Sequence, residues 1–168
     1  MEAYNKAFVS SGWQSNGSWT VVTAPPVNGS LAPVSGSGAS HAFSLVYSDP
    51  YGYADIYYTE VLFQAQLSGQ NACYVQYVPA NNTVSLVADS GSAYAGAAQV
   101  GIAGTLSNSQ CTVDVGASSV STSGNTLTLT LALTFKPGFT GAKNIYMGVF
   151  NKANIFSGWL TEGAWTVP

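Results

Sequence analysis

Apolar and polar residues alternate along most of this chain with the period of two that sends successive side chains to opposite faces of a β-strand. The clearest run is Thr126–Phe135. Leu127, Leu129, Leu131, Leu133 and Phe135 share one parity, and Thr126, Thr128, Thr130 and Thr134 share the other. Such a run predicts one wall of a buried sheet. Residues 41–48 set Phe43, Leu45 and Tyr47 on one face, 59–67 align Val61, Phe63, Ala65 and Leu67, and 72–78 align Cys73, Val75 and Tyr77. A strand at 83–88 follows a turn at 79–82. Residues 110–115 alternate Cys111, Val113 and Val115 with Thr112 and Asp114, and 144–150 and 163–167 close the series. No apolar period of 3.6 residues appears, so almost no helix is expected. About seven to nine short antiparallel strands predict an all-β sandwich.

Superimposed on this pattern is a repeat. Residues 147–167, MGVFNKANIFSGWLTEGAWTV, align without gaps on residues 1–21, MEAYNKAFVSSGWQSNGSWTV, at an offset of 146 (147 minus 1). Eleven of the 21 positions are identical, among them Asn5/Asn151, Lys6/Lys152, Ser11/Ser157, Gly12/Gly158, Trp13/Trp159 and Trp19/Trp165. Average composition would give about one or two. The opening copy reads as a strand at 1–6, a turn at Ser11-Gly12 and a second strand at 18–23. The expected organisation is therefore a closing hairpin of a preceding repeat at 1–22, or a strand donated to a neighbour. A Pro/Gly/Ser-rich linker or irregular edge strand follows at 23–40, then a β-sandwich repeat domain at 41–168. On this reading Met1 is an internal methionine. Trp13, Trp19, Trp159 and Trp165 belong to the duplicated hairpin, and their role is structural or in assembly.

Charge narrows the partners. The 168 residues carry four lysines, no arginine and seven acids, for a net charge of -3, and charged residues make up 7% of the chain. No basic patch is available to neutralise phosphates, which argues against nucleic acid and anionic membrane. No apolar run is long enough to span a bilayer as a helix, so membrane insertion is not expected. Cys73 and Cys111 share parity with inward apolar neighbours. They can meet between two sheets as a bridge or sit as separate buried thiols.

The segments NACYV (71–75), SQCTV (109–113), SGNTLTLTLALTFKPGF (123–139), GAKNIYM (141–147) and SGW…GAWTVP resemble a known type of module. It is the immunoglobulin-like β-sandwich repeat strung in tandem in large secreted proteins of environmental, acidobacterial-type bacteria. The resemblance covers about residues 40–168. It implies an immunoglobulin-like fold, secretion to the extracellular space or cell surface, tandem arrangement and a Cys73–Cys111 disulfide. The tyrosine-rich DPYGYADIYY (49–58) departs from it, because such modules more often carry small polar residues there.

Little chemistry is written in the side chains. A nucleophilic triad would have to use His41, the single histidine, and neither a nucleophile elbow nor a phosphate-binding glycine loop is present. No catalytic residue and no obligatory cofactor is assigned. Asp49, Asp55 and Glu60 are the one close acid group and a candidate calcium set, although Asp49-Pro50 followed by Gly52 is also a good turn. Tyr51, Tyr53, Tyr57 and Tyr58 are candidates for stacking on a polysaccharide or a protein partner. Two readings of function follow. The first is a non-catalytic structural module of a tandem-repeat surface protein, adhesin-like or filament-forming, partnered by neighbouring copies of the same repeat or subunit. The second is a carbohydrate-binding module of a secreted enzyme that uses the exposed tyrosines.

Overall fold

Alternating segments become strands only where their amides find neighbours, and in this chain the pairing builds two sheets. The computed structural model describes residues 1–18 and 24–168. Trp19 and nearly all of the strand expected at 18–23 lie outside the described residues. In chain order the strands are β1 (Val27–Ala32), β2 (Ser35–Ser37), β3 (Ser40–Ser48), β4 (Ile56–Gln64), β5 (Cys73–Val78) and β6 (Thr83–Val87). They continue with β7 (Tyr94–Gln99), β8 (Thr105–Ser107), β9 (Cys111–Ser123), β10 (Thr126–Phe135), β11 (Gly141–Asn151) and β12 (Leu160–Val167). A five-stranded sheet runs β1-β3-β10-β9-β8, and a seven-stranded sheet runs β2-β12-β11-β4-β5-β6-β7. Among the described residues the pairs are antiparallel except β2, which lies parallel to β12. The only helical features there are single 3-10 turns at Tyr53–Asp55 and Pro79–Asn81.

The sheets pack face to face, as the parity of their strands requires. Phe43, Leu45 and Tyr47 of β3 and the leucines of β10 line one wall, and Val61, Phe63, Val75 and Met147 line the other, all buried. Phe63 sits 4.8 Å from the Phe43 ring and 5.4 Å from Phe135, which ties the walls together through edge and tilted ring contacts. Cys73 of β5 and Cys111 of β9 are bridged across the core with Cα atoms 5.5 Å apart. The disulfide is therefore a link between sheets and fits an oxidising compartment. No helix among the described residues is long and apolar enough to cross a membrane.

Several expectations need correction. Among the described residues twelve strands form, where seven to nine are expected. β7, with sequence YAGAAQ, is rich in Ala and Gly, which are depleted in strands, and β8 is only three residues long; they are strands because β6 and β9 supply their hydrogen bonds. β9 continues to Ser123 past a register shift against β10. The buried Ser118 fills that irregularity, donating to the Asp114 carbonyl at 2.6 Å and accepting from the Ala132 amide at 3.1 Å. β4 ends at Gln64, so Leu67 is exposed and does not join Val61 and Phe63. Of the two expectations for 23–40, linker or irregular edge strand, the second is met and needs no correction: β1 and β2 each form the edge of a sheet, and β1 carries a register irregularity against β3. Residues 1–6 are not a strand; the segment holds one isolated bridge, between Tyr4 and Ser10.

Phe63→Ala is expected to cost about 3–5 kcal/mol, because it empties the ring cluster between the sheets. Removing the Cys73–Cys111 bridge, which closes a separation of 38 residues, should cost about 4 kcal/mol. Thr134→Ala, on the exposed face of β10, should stay within about 0.5 kcal/mol. Urea unfolding of the three variants checks the ranking.

Candidate functional site

The repeat is best understood from its second copy, where β11 turns into β12. Asn151 organises the turn. Its amide donates to the Ile155 carbonyl (3.1 Å), its carbonyl accepts from the Asn154 amide (2.9 Å), and its side-chain oxygen accepts from the Ile155 amide (2.9 Å). Asn154 has φ 60°, a left-handed conformation that asparagine tolerates. Ser157 closes the loop. Its amide donates to the Val149 carbonyl (3.0 Å), and its hydroxyl accepts from the Val149 amide (3.0 Å) and donates to the Gly158 carbonyl (3.0 Å).

Each of these bonds recurs 146 residues earlier. The Asn5 amide donates to the Val9 carbonyl (3.1 Å), the Phe8 amide to the Asn5 carbonyl (2.9 Å), and the Val9 amide to the Asn5 side chain (3.1 Å). The Ser11 amide donates to the Ala3 carbonyl (2.8 Å), and its hydroxyl accepts from the Ala3 amide (2.9 Å) and donates to the Gly12 carbonyl (3.2 Å). Phe8 repeats the left-handed φ of Asn154 (59°) and Gly12 that of Gly158 (69° and 83°). The bridge Tyr4–Ser10 repeats Phe150–Phe156. Even the Met147–Leu160 register of β11 against β12 has its counterpart, because the Gln14 amide donates to the Met1 carbonyl at 2.9 Å.

The two copies differ in what covers them. In the second, β11 pairs with β4 from Asn144↔Gln64 to Asn151↔Ile56. The buried Asn28 of β1 clasps the loop, donating to the Met147 carbonyl (3.0 Å) and the Gly158 carbonyl (3.2 Å) and accepting from the Ser157 hydroxyl (3.3 Å). The Lys152 amide donates to the Asp55 carbonyl at 2.8 Å. Met147 is fully buried, whereas Met1 is 80% exposed; Trp13 is also 80% exposed and Phe8 88%. Among the described residues, residues 1–14 hydrogen-bond within their own segment. The opening copy, among the described residues, keeps the turn but has no β4 beside it.

On its outer face, over β4, β5, β11 and the closing loop, the seven-stranded sheet carries a row of rings. Tyr58 stacks on Phe150 (4.6 Å), Phe150 on Phe156 (4.2 Å), and Trp159 meets Phe156 (6.0 Å) and Tyr74 (5.9 Å) edge-on. Gly148 lies beneath, and a Cβ there would come within 2.8 Å of the Phe156 ring. Glu60 stands beside the row, buried, with the Tyr74 hydroxyl donating to its carboxylate. Burial pushes the Glu60 carboxyl above its ordinary value of 4.5, against the hydrogen bonds of Tyr74 and Gln76. The same burial, with Glu60 nearby, raises the Tyr58 hydroxyl to about 12 and holds the Tyr74 hydroxyl above its ordinary range.

The candidate calcium set does not assemble. Among the described residues no three metal-ligating side chains gather. Asp49 is buried and makes the turn, its side chain accepting from the Tyr51 amide (2.8 Å) and its carbonyl from the Gly52 amide (3.0 Å). Asp55 contributes its carbonyl to the closing loop, and Glu60 faces the aromatic row. Of the four tyrosines, Tyr51, Tyr53 and Tyr57 are exposed, and Tyr58, half-buried, joins the row. Trp165 is buried, its indole donating to the Gly38 carbonyl at 2.8 Å, and Gly36 lies so close that a Cβ there would meet the ring at 2.4 Å.

Two residues escape a reading of parity. Asn28, the loop clasp, lies in the stretch that composition marks as linker or irregular edge strand. Asn108 staples the disulfide's flank, donating to the Ala72 and Val87 carbonyls (2.9 Å each) and accepting from the Cys111 amide (2.9 Å). Its sequence signal is an Asx turn two residues before Gln110. No family model, curated protein or solved structure matches the chain at a significant level.

Burial sets the pH behaviour of this face. With its folded pKa above the unfolded value, Glu60 favours the fold when protonated. That contribution is full below the unfolded pKa and declines as pH rises through the folded one. Glu60→Gln keeps an acceptor for Tyr74, so it should raise the melting temperature at neutral pH and flatten its slope above about pH 4.5, as read by calorimetry across that range.

Proposed function

We propose that the chain is a non-catalytic structural module of a tandem-repeat extracellular or surface protein. We read the sandwich as immunoglobulin-like. In this reading the hairpin of residues 1–21 closes a neighbouring sandwich by strand addition, giving an adhesin-like or filamentous assembly. The observation that carries it is the recurrence of the closing turn's hydrogen bonds in residues 1–14, one copy seated on β4 and the other with Met1, Phe8 and Trp13 exposed. A two-stranded hairpin gains little stability alone, so a preformed copy implies a surface to receive it. The inter-sheet disulfide and a charged fraction of only 7% support an extracellular setting with faces made to pack.

A second reading is favoured by the aromatic row with Glu60, Gln76 and Tyr94 beside it. Rings and hydrogen-bonding groups on one sheet face are what a polysaccharide strand requires. Retardation in polysaccharide-containing gels, lost in Trp159→Ala and Tyr58→Ala, would favour this reading; unchanged migration on every polysaccharide tried would end it.

Trypsin tests the structural reading, because the four lysines include the equivalent pair Lys6 and Lys152. In the isolated module cleavage should occur first after Lys6, while Lys152 resists. In the native assembly, released from its producing cells without denaturation, Lys6 should resist as well. Equal rates of Lys6 cleavage in both preparations would contradict the proposal.

A further inference from the structure

The register of β11 on β4 identifies which neighbour the opening hairpin accepts, an inference that rests on the assembly reading. Gly148 lies directly opposite Glu60. The offset of 146 puts Glu2 in place of Gly148 and Ser10 in place of Phe156. The two exchanges are coupled. At position 148 a side chain would collide with the Phe156 ring, whereas in the opening copy Ser10 removes the ring and its hydroxyl donates to the Glu2 carboxylate. The outer face of the opening hairpin thus carries an acid and a hydroxyl where its twin carries a glycine covered by an aromatic ring.

Seated on a β4 like the one in this chain, Glu2 would stand cross-strand from Glu60, with Cβ atoms roughly 5 Å apart. Glu60 is poorly placed to turn away. It is buried, the Tyr74 hydroxyl holds its carboxylate from β5, and Gln76 adds a second hydrogen bond. The other titratable groups around it are Tyr58 on β4, Tyr94 on β7 and, from the opposite sheet, Tyr47 on β3, whose hydroxyl donates to the Glu60 carbonyl, while β11 and the closing loop present Gly148, Phe150, Phe156 and Trp159. None of these is a cation. Like charges directly opposite on adjacent strands destabilise the pair, and more so where water is scarce.

We infer that the opening hairpin closes a sandwich of this architecture other than a second copy of this chain, namely one that presents a cation or a neutral hydrogen-bond donor opposite Glu2, at the place of Glu60. The module then carries a selectivity element at each side of the joint. Glu60 rejects a hairpin that bears an acid, and Glu2 rejects a β4 that bears one. Order along a series of non-identical repeats follows from this, without exchange of hairpins between identical chains.

A graft within the full chain tests it. Residues 147–160 are replaced by the sequence of residues 1–14 in three backgrounds: unchanged, Glu60→Gln and Glu60→Lys. Each is compared with the same background carrying its native hairpin, so that only the pairwise effect is read. The graft should fold in both substituted backgrounds. With Glu60 retained, the loss in melting temperature should be larger by about 2–4 °C at neutral pH, and the excess should vanish at acid pH, where Glu60 is protonated. Failure to fold only with Glu60 retained would also support the inference. An equal, pH-independent loss in all three backgrounds would overturn the selectivity and leave the assembly reading standing. Failure to fold in both substituted backgrounds would show that residues 1–14 cannot close such a sandwich, and would overturn the assembly reading itself.

Discussion

A strand in the middle of a sheet is stable because both of its edges are paired, and β11 is the strand on which this sandwich depends in that way. It lies between β4 and β12, buries Ile145, Met147 and Val149 against the opposite sheet, and begins the turn that Asn28 clasps from β1. β12 then brings Trp165 back over the end of the core, where β2 and Gly38 receive it. The closing hairpin is thus joined to both sheets. The disulfide, two strands from β11 in the same sheet, ties the sheets together independently.

The opening copy shows what remains of such a hairpin when β4 is taken away. The local bonds persist, because Asn5 and Ser11 satisfy their own neighbours' amides. The burial does not, and Met1, Tyr4, Val9 and Trp13 are exposed. Local sequence specifies the turn, and the neighbouring strand supplies most of the stabilisation. Function on this account lies at the joint between sandwiches, with the row of rings beside Glu60 forming the outer wall of that joint.

Much of this was legible in the residues alone. Strict alternation placed Phe43, Leu45, Tyr47 and the β10 leucines on inner faces, and the same parity put Cys73 and Cys111 within reach of each other. Identity between the chain's two ends revealed the duplicated hairpin. β7 and the later part of β9 escaped because Ala, Gly and Ser become strands through the neighbours that pair with them, and parity carries no trace of that. Asn28 was hidden in a stretch whose prolines and glycines read as a linker or an irregular edge strand, neither of which marks a buried clasp. The opposition of Gly148 and Glu60 is a matter of cross-strand register between segments far apart in the chain, which no local pattern encodes. The acids at 49, 55 and 60 looked like one set because they are close in sequence, but the strand that begins at Ile56 carries Glu60 away from the turn that Asp49 makes.

The central claim is that one hairpin sequence is stable or not according to whether a β4 lies beside it. Amide hydrogen exchange of the isolated chain measures this most directly. Strong protection is expected at Asn151, Ile155 and Ser157, with exchange near the unprotected rate at their equivalents Asn5, Val9 and Ser11. Comparable protection of the two sets would contradict it, because the opening hairpin would then have a partner within its own chain or stability of its own.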